Sequence, residues 1–161
     1  MSQETPKSKD GPGVVVEDAV ARCLALVSTW LNWDGKPRLS DDGERIYTPH
    51  KAVRRIADHL IDHLAETEAV LAGVPTQPDQ WHASDVTLDS DWARFTELDR
   101  DETSQRLSRL ARTFALRLAA AGADEWDRPR DGSWTLREIA EHLTVVLWYA
   151  EQVGDLSGRG D

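Results

Sequence analysis

The stretch from Thr48 to Gly73, TPHKAVRRIADHLIDHLAETEAVLAG, constrains the fold more than any other part of the chain. Thr48 is a favoured N-cap, because its hydroxyl can accept from an unpaired N–H of the first turn. Pro49 follows at the first helical position, where a missing N–H costs nothing and φ is already set. Gly73 stands where a left-handed residue is wanted, and Pro75 forbids continuation. Between these marks Val53, Ile56, Ala57, Leu60, Leu64, Thr67 and Leu71 recur at helical spacing. Such a helix must bury one stripe against neighbouring elements. His59 and His63, four residues apart, are neighbours on the flank of that stripe. A side chain there can face another helix and still reach water.

The partners of this helix are also written in the sequence. A first helix is expected from Val14 to Trp33, with Val16, Val20, Cys23, Val27 and Leu31 on its buried face. Asp34-Gly35 and Pro37 end it. Asp42-Gly43, between Leu39 and Ile46, fits either a small hairpin or a tight turn. A third helix is expected from Asp99 to Ala121, with Leu107, Leu110, Ala111, Phe114, Leu118 and Ala121 inward and Gly122 as its stop. Its arginines, Arg106, Arg109, Arg112 and Arg117, form a solvated face. Thr135 to Glu138 is a capping box. From Leu136 to Val153 the apolar residues keep helical period in a fourth helix, closed by Gly154.

From Val74 to Leu98 no long helical pattern exists, yet Trp81, Trp92 and Phe95 call for burial. A packed crossover with a short helix near Ser90–Phe95 satisfies both observations. The expected fold is therefore all-α, a four-helix bundle with a long crossover between helices 2 and 3. Residues 1–13 are expected to be a flexible tail, 14–156 a single domain, and 157–161 a frayed end.

Charge and composition narrow the function. The chain has 19 Lys and Arg against 29 Asp and Glu, a formal charge of −10. That balance argues against a nucleic-acid backbone or an anionic membrane as principal partner. No apolar run approaches the length of a membrane span. The opening MSQETPKSKDGPG lacks the apolar core of a signal peptide, so a cytoplasmic location is expected. Cys23 is the only cysteine, which removes intramolecular disulfides and a cysteine-based zinc site. Its place in the first apolar stripe marks a buried structural thiol.

His142 lies on the flank of the fourth helix, as His59 and His63 do on the second. Helix flanks that carry histidine can converge in a bundle. Three imidazoles would bind a divalent ion such as zinc or nickel and leave coordination positions open. Asp62, Glu66, Glu138 and Tyr149 are candidates for orienting the imidazoles or handling protons. The same spacing also fits boundary histidines bonded to carboxylates of a neighbouring helix, and spacing alone leaves both readings open. His50 and His82 are read as packing or capping residues. A carboxylate-bridged di-iron centre is excluded, because Ile56, Leu60 and Ile139 stand where glutamate would have to precede each histidine by three.

The helical layout with its long connection, the segment DGSWTLREIAEHL from Asp131 to Leu143, and ADHLIDHL from Ala57 to Leu64 together resemble the DinB-like (damage-inducible) superfamily of four-helix-bundle metalloenzymes. The resemblance implies a three-histidine divalent metal site. In some members it implies metal-assisted transfer or isomerisation with a small thiol such as mycothiol or bacillithiol. That family usually draws one ligand from the second helix and a His-x-x-x-His pair from the fourth. Here the pair is His59 and His63 on the second helix, and Val146 stands where a further ligand of the fourth would fall. Two functional readings follow. One is a metal-dependent enzyme of this type, activating a small thiol or water for transfer, isomerisation or hydrolysis, with a small-molecule thiol or electrophile as partner. The other is a non-catalytic helical interaction module, homodimeric in one form, whose histidines are structural.

Overall fold

The computed structural model describes residues 11–78 and 85–158. The chain is mostly helical: α1 (Val14–Val27), α2 (Pro49–Ala72), α3 (Glu97–Ala121), the short α4 (Ala123–Trp126), α5 (Leu136–Leu143) and α6 (Val146–Val153). Helix α2 starts and stops where its sequence dictates. Thr48 Oγ1 accepts from Lys51 N at 3.2 Å, and Gly73 takes the left-handed conformation with φ 70°. α2 packs on α3, α5 and α6, while α1 packs on α3, α5 and α6 from the other side. The shared core is built from the stripes that periodicity marks, including Val20, Ile56, Leu60, Leu107, Phe114 and Leu143.

Helix α3 starts two residues before the expected Asp99, behind its N-cap Thr96, and two other helix boundaries differ from expectation for local reasons. The first helix ends at Val27 rather than Trp33. Ser28 and Thr29 hydroxyls donate to the carbonyls of Ala25 and Leu26 at 2.6 and 2.7 Å, a local competition that favours a helix end. A 3-10 turn over Trp30–Asn32 then drops Trp30 into the core, where its indole N–H donates to Gly154 O at 2.8 Å. The fourth helical stretch is interrupted at Thr144 and Val145. There Val145 N, Leu147 N and Trp148 N donate to carbonyls three residues back, at 3.0, 3.2 and 2.9 Å. This tightening separates α5 from α6, and apolar spacing alone is blind to it. Finally, Arg38–Leu39 and Ile46–Tyr47 do form a small antiparallel ribbon, β1 and β2, so the chain is not free of strands.

Both ends of the described part carry packed residues. Gly11, Pro12 and Gly13 are buried, which shortens the expected 1–13 tail; residues 1–10 lie outside the described part. At Gly13 an added Cβ would sit 2.5 Å from Ala115 Cα, so glycine is what lets the start of α1 touch the backbone of α3. Leu156 is buried and its N–H donates to Thr29 Oγ1 at 3.0 Å. Beyond it Ser157 and Gly158 form an exposed turn, and 159–161 lie outside the described residues.

The connection after α2 is described again from Asp85, and Trp81 and His82 fall in the undescribed stretch. Its latter half is pinned to α2 by polar contacts. Asp91 is buried, paired with Arg54 at 2.7 Å and accepting from Leu88 N at 2.7 Å. Thr48 Oγ1 donates to Asp91 O at 2.6 Å, and Lys51 Nζ donates to Ile46 O at 2.8 Å and Thr87 Oγ1 at 3.0 Å. Burial holds the Lys51 amine below its usual range. The short helix appears as a 3-10 turn over Asp89–Trp92, but its tryptophan is not the anchor. Trp92 is 44% exposed, whereas Phe95 is 2% exposed and meets Trp30 edge-on at 5.9 Å. An extended turn presents alternate residues inward, and Phe95 takes the inward place. Among the described residues no helix is long and apolar enough to cross a membrane.

Phe95→Ala is expected to cost about 3–5 kcal/mol, the range for emptying a core aromatic site. Trp92→Ala is expected to stay within about 1 kcal/mol of wild type, as partly exposed positions do. Urea unfolding of the two variants beside wild type checks the contrast.

Candidate metal centre

The apolar stripe of α2 fixes where its histidines go. Ile56 and Leu60 are buried in the seam, so His59 and His63 emerge at its edge, one turn apart, facing α5. His142 arrives from the last turn of α5, just before the tightening at Thr144. The three rings meet: centroids are 4.7 Å apart for His59 and His63, 5.0 Å for His59 and His142, and 4.9 Å for His63 and His142. One ring nitrogen from each lies within 4.8 Å of the others. Nitrogens on a tetrahedral zinc are about 3.3 Å apart, given bonds near 2.0–2.1 Å. Small rotations of χ angles therefore suffice to place all three on one ion. The sequence-derived triad is brought together in space.

Local partners orient two of the rings. Glu66 Oε2 lies 2.7 Å from His63 Nδ1, one turn along the same helix. A carboxylate there holds the proton on Nδ1 and leaves Nε2 as the available lone pair. His59 Nε2 and His142 Nε2 lie 3.0 Å apart, so one donates and the other accepts while no ion intervenes. At least one of the two is then neutral. Burial, and next the neighbouring His63, hold the His142 pKa below the usual imidazole range, with Glu66 opposing. A site that favours neutral imidazole is prepared for a cation.

The other expected site residues divide. Glu66 is in contact with the triad. Tyr149 is buried, with its ring 5.9 Å from that of His59. Its hydroxyl accepts from Arg55 Nη2 at 3.1 Å, and the guanidinium lies over the ring at 4.7 Å. Asp62 is half-buried beside His63 in the chain. Glu138 is committed elsewhere: its carboxylate accepts from Thr135 N at 2.7 Å in the capping box that starts α5. It is therefore a helix-start residue rather than an orienting group. His50 behaves as a packing residue, 3.2 Å from Arg94 O and edge-on to Phe95 at 5.2 Å. Cys23 is fully buried and its pKa is pushed up to about 12, mainly by burial, which leaves it no role as a thiolate.

Trp134 and Arg55 are not legible as site residues in the sequence. Trp134 stands just before the N-cap of α5, where its ring lies 4.5 Å from that of His142 and stacks near His63 at 6.2 Å. It is nearly half exposed, so it forms an aromatic wall between the imidazoles and solvent. An apolar residue ahead of a capping box usually folds back on the helix it precedes, and that is the signal that could have found it. Arg55 is held by Asp85 at 2.9 Å, a contact between α2 and the distant connection that spacing within one helix cannot reveal.

No family model matches the sequence, and no curated protein or solved structure matches it either.

The lowered pKa of His142 gives a pH dependence with a definite sign. As pH falls through about 6.5, the ordinary imidazole value, the unfolded chain takes up the proton before the folded one does. Stability tied to neutral His142 is therefore complete above that pH and declines below it. Metal-stripped wild type should lose more stability than His142→Gln between about pH 7.5 and pH 5.5. Urea midpoints at the two values measure the difference, and parallel declines would contradict it.

Proposed function

We propose that this protein is a divalent-metal-dependent enzyme of the DinB-like type, acting on a small thiol or water and an electrophilic partner. The observation that carries the reading is the convergence of His59, His63 and His142 from two helices. Zinc or nickel fits the all-imidazole donor set. Held by three imidazoles, such an ion would keep coordination positions open and lower the pKa of a thiol or water entering one.

The rest falls to the chain's own side chains. Glu66 keeps His63 in the tautomer that offers Nε2 to the ion. Trp134 limits water on the exposed side of the triad and offers a flat apolar face to a bound molecule. Tyr149 accepts from Arg55, which leaves its own O–H as a donor to a group bound near His59. Two features support the finer architecture, a four-helix bundle with a crossover: α5 and α6 follow each other through a single tightened turn, and residues 74–96 join the two longest helices.

A second reading has its own support. The triad is self-satisfied without an ion, through the His59–His142 and His63–Glu66 contacts. Structural histidines in an interaction module would look the same. Metal linkage separates the two. At metal a hundredfold above its dissociation constant, the folded state gains about 2.7 kcal/mol. A thermal-shift titration of stripped protein with zinc or nickel should raise Tm by about 5–10 °C, the shift such a gain implies for a domain of this size. His63→Ala and His142→Ala should each remove most of it, and His50→Ala little. An unchanged Tm in wild type at saturating metal would favour the interaction module.

A further inference from the structure

Seven residues beyond His63 on α2, nearly on the same helical face and about 10 Å along the axis, Val70 begins one wall of a cleft. The cleft has a volume of about 630 Å3 and is walled on its other side by Arg117, Glu125, Arg128 and Arg130. Three guanidinium groups facing one cleft stand out in a chain whose formal charge is −10. Two carboxylates pair with them, Glu68 and, in the cleft wall itself, Glu125. Arg117 Nε lies 2.6 Å from Glu68, and Arg128 Nη2 lies 2.9 Å from Glu125. Three cations against two anions leave a local positive excess.

Arg130 carries most of that excess. Its side chain is only 16% exposed, and its Nη2 is 3.6 Å from Glu125 Oε2, beyond hydrogen-bond reach. Its Nη1 is buried with no hydrogen-bond partner among the described residues. A guanidinium this desolvated, with no carboxylate within hydrogen-bond reach of Nη2, is costly, and an oxyanion in the cleft it lines would offset that cost. The same arginine leads directly to the triad. Arg130 pairs with Ser133 across a turn at Gly132 (φ 66°), and Trp134, the next residue, lies tilted against His142 and stacks near His63.

We propose that this cleft is an oxyanion subsite, taking the carboxylate or phosphate of an elongated molecule whose reacting end lies at His59, His63 and His142. The link to a reacting end rests on the metal-enzyme reading above; the binding of an oxyanion does not. The substrate class is thus an acidic thiol or acidic electrophile, long enough to reach from the cleft past Trp134 to the triad.

The test begins with the metal-stripped full chain, titrated by two-dimensional NMR with inorganic phosphate and, separately, with succinate. Saturable shifts centred on residues 70–73 and 117–130 are expected. Affinity should fall about tenfold or more in Arg130→Gln, where a charge-assisted contact is removed. It should fall several-fold in Arg128→Gln and stay unchanged in Arg22→Gln, an exposed arginine of α1 paired with Asp18. Saturation by only one probe assigns the anion to that chemistry. If Arg130→Gln fails to fold, Arg128→Gln, whose side chain is 58% exposed, carries the comparison. No saturation by either probe, or equal affinity in wild type and Arg128→Gln, would overturn the subsite. In zinc-loaded protein, mercaptoalkanoates of graded length should bind more tightly than mercaptoalcohols of equal length, and that preference should shrink several-fold in Arg128→Gln. Oxyanion binding without the preference would overturn the link to the histidines. Failure of zinc to bind would count against the metal reading alone, since the phosphate and succinate titrations need no metal.

Discussion

The seam between α2 and the α5–α6 stretch is the contact on which the rest of the molecule depends. α2 brings Ile56 and Leu60 to it, and the other side brings Leu143, Val146 and Ala150, all of them buried. Each large aliphatic side chain taken out of water there contributes about 1.5–3 kcal/mol. That burial fixes the rotation of both helices about their axes. Once the rotation is fixed, the edge of the seam is fixed too, and the edge is where His59, His63 and His142 stand. The imidazoles do not assemble the fold; the apolar seam assembles them. Their mutual contacts and Glu66 then keep desolvated ring nitrogens from being left without partners, which would be destabilising.

A second layer of constraint is ionic and lies on the outer side of α2. Lys51, Arg54 and Arg55 follow one another at the start of that helix and each reaches the returning connection, at Thr87, Asp91 and Asp85. The Arg54–Asp91 pair is the most desolvated of these, with Asp91 also bonded to the backbone of Leu88. Such pairs add little net stability over an apolar alternative, but removing one partner leaves a buried charge. Their effect here is on position. They hold the described part of the connection, from Asp85 on, against α2, and through Arg55 they hold the Tyr149 ring beside His59. The same Arg55 joins the connection to the histidine edge, so the site is supported from a segment far away in sequence.

Much of this is legible in the amino-acid sequence. The strong helix marks at Thr48, Pro49 and Gly73 and the stripe of α2 hold in the fold unchanged, because capping, φ restriction and burial all demand the same helix. The flank positions of the three histidines are legible for the same reason: their angle to the stripe follows from the period of 3.6 residues per turn. What does not show are effects that periodicity does not encode. Thr144 and Val145 keep apolar phase while tightening the turn, so spacing predicts one helix where α5 and α6 stand. Trp92 and Phe95 are both large and apolar, and only the path of the connection decides that Phe95 goes inward. Glu138 is legible as the capping-box residue but also reads as an orienting group, and spacing does not tell which of the two its carboxylate serves. Arg55 owes its place to a tertiary contact, and Trp134 to the fold-back ahead of the capping box that brings it against His142.

The central claim is that three neutral imidazoles in this edge hold one divalent ion. Elemental analysis of protein purified without a metal-binding tag, and dialysed against a weak chelator, tests it most directly. The account predicts zinc or nickel at one ion per chain, with the content of His59→Ala, His63→Ala and His142→Ala each falling to near background while the fold is retained. Wild-type protein that carries no stoichiometric ion, before or after incubation with either metal, would contradict it.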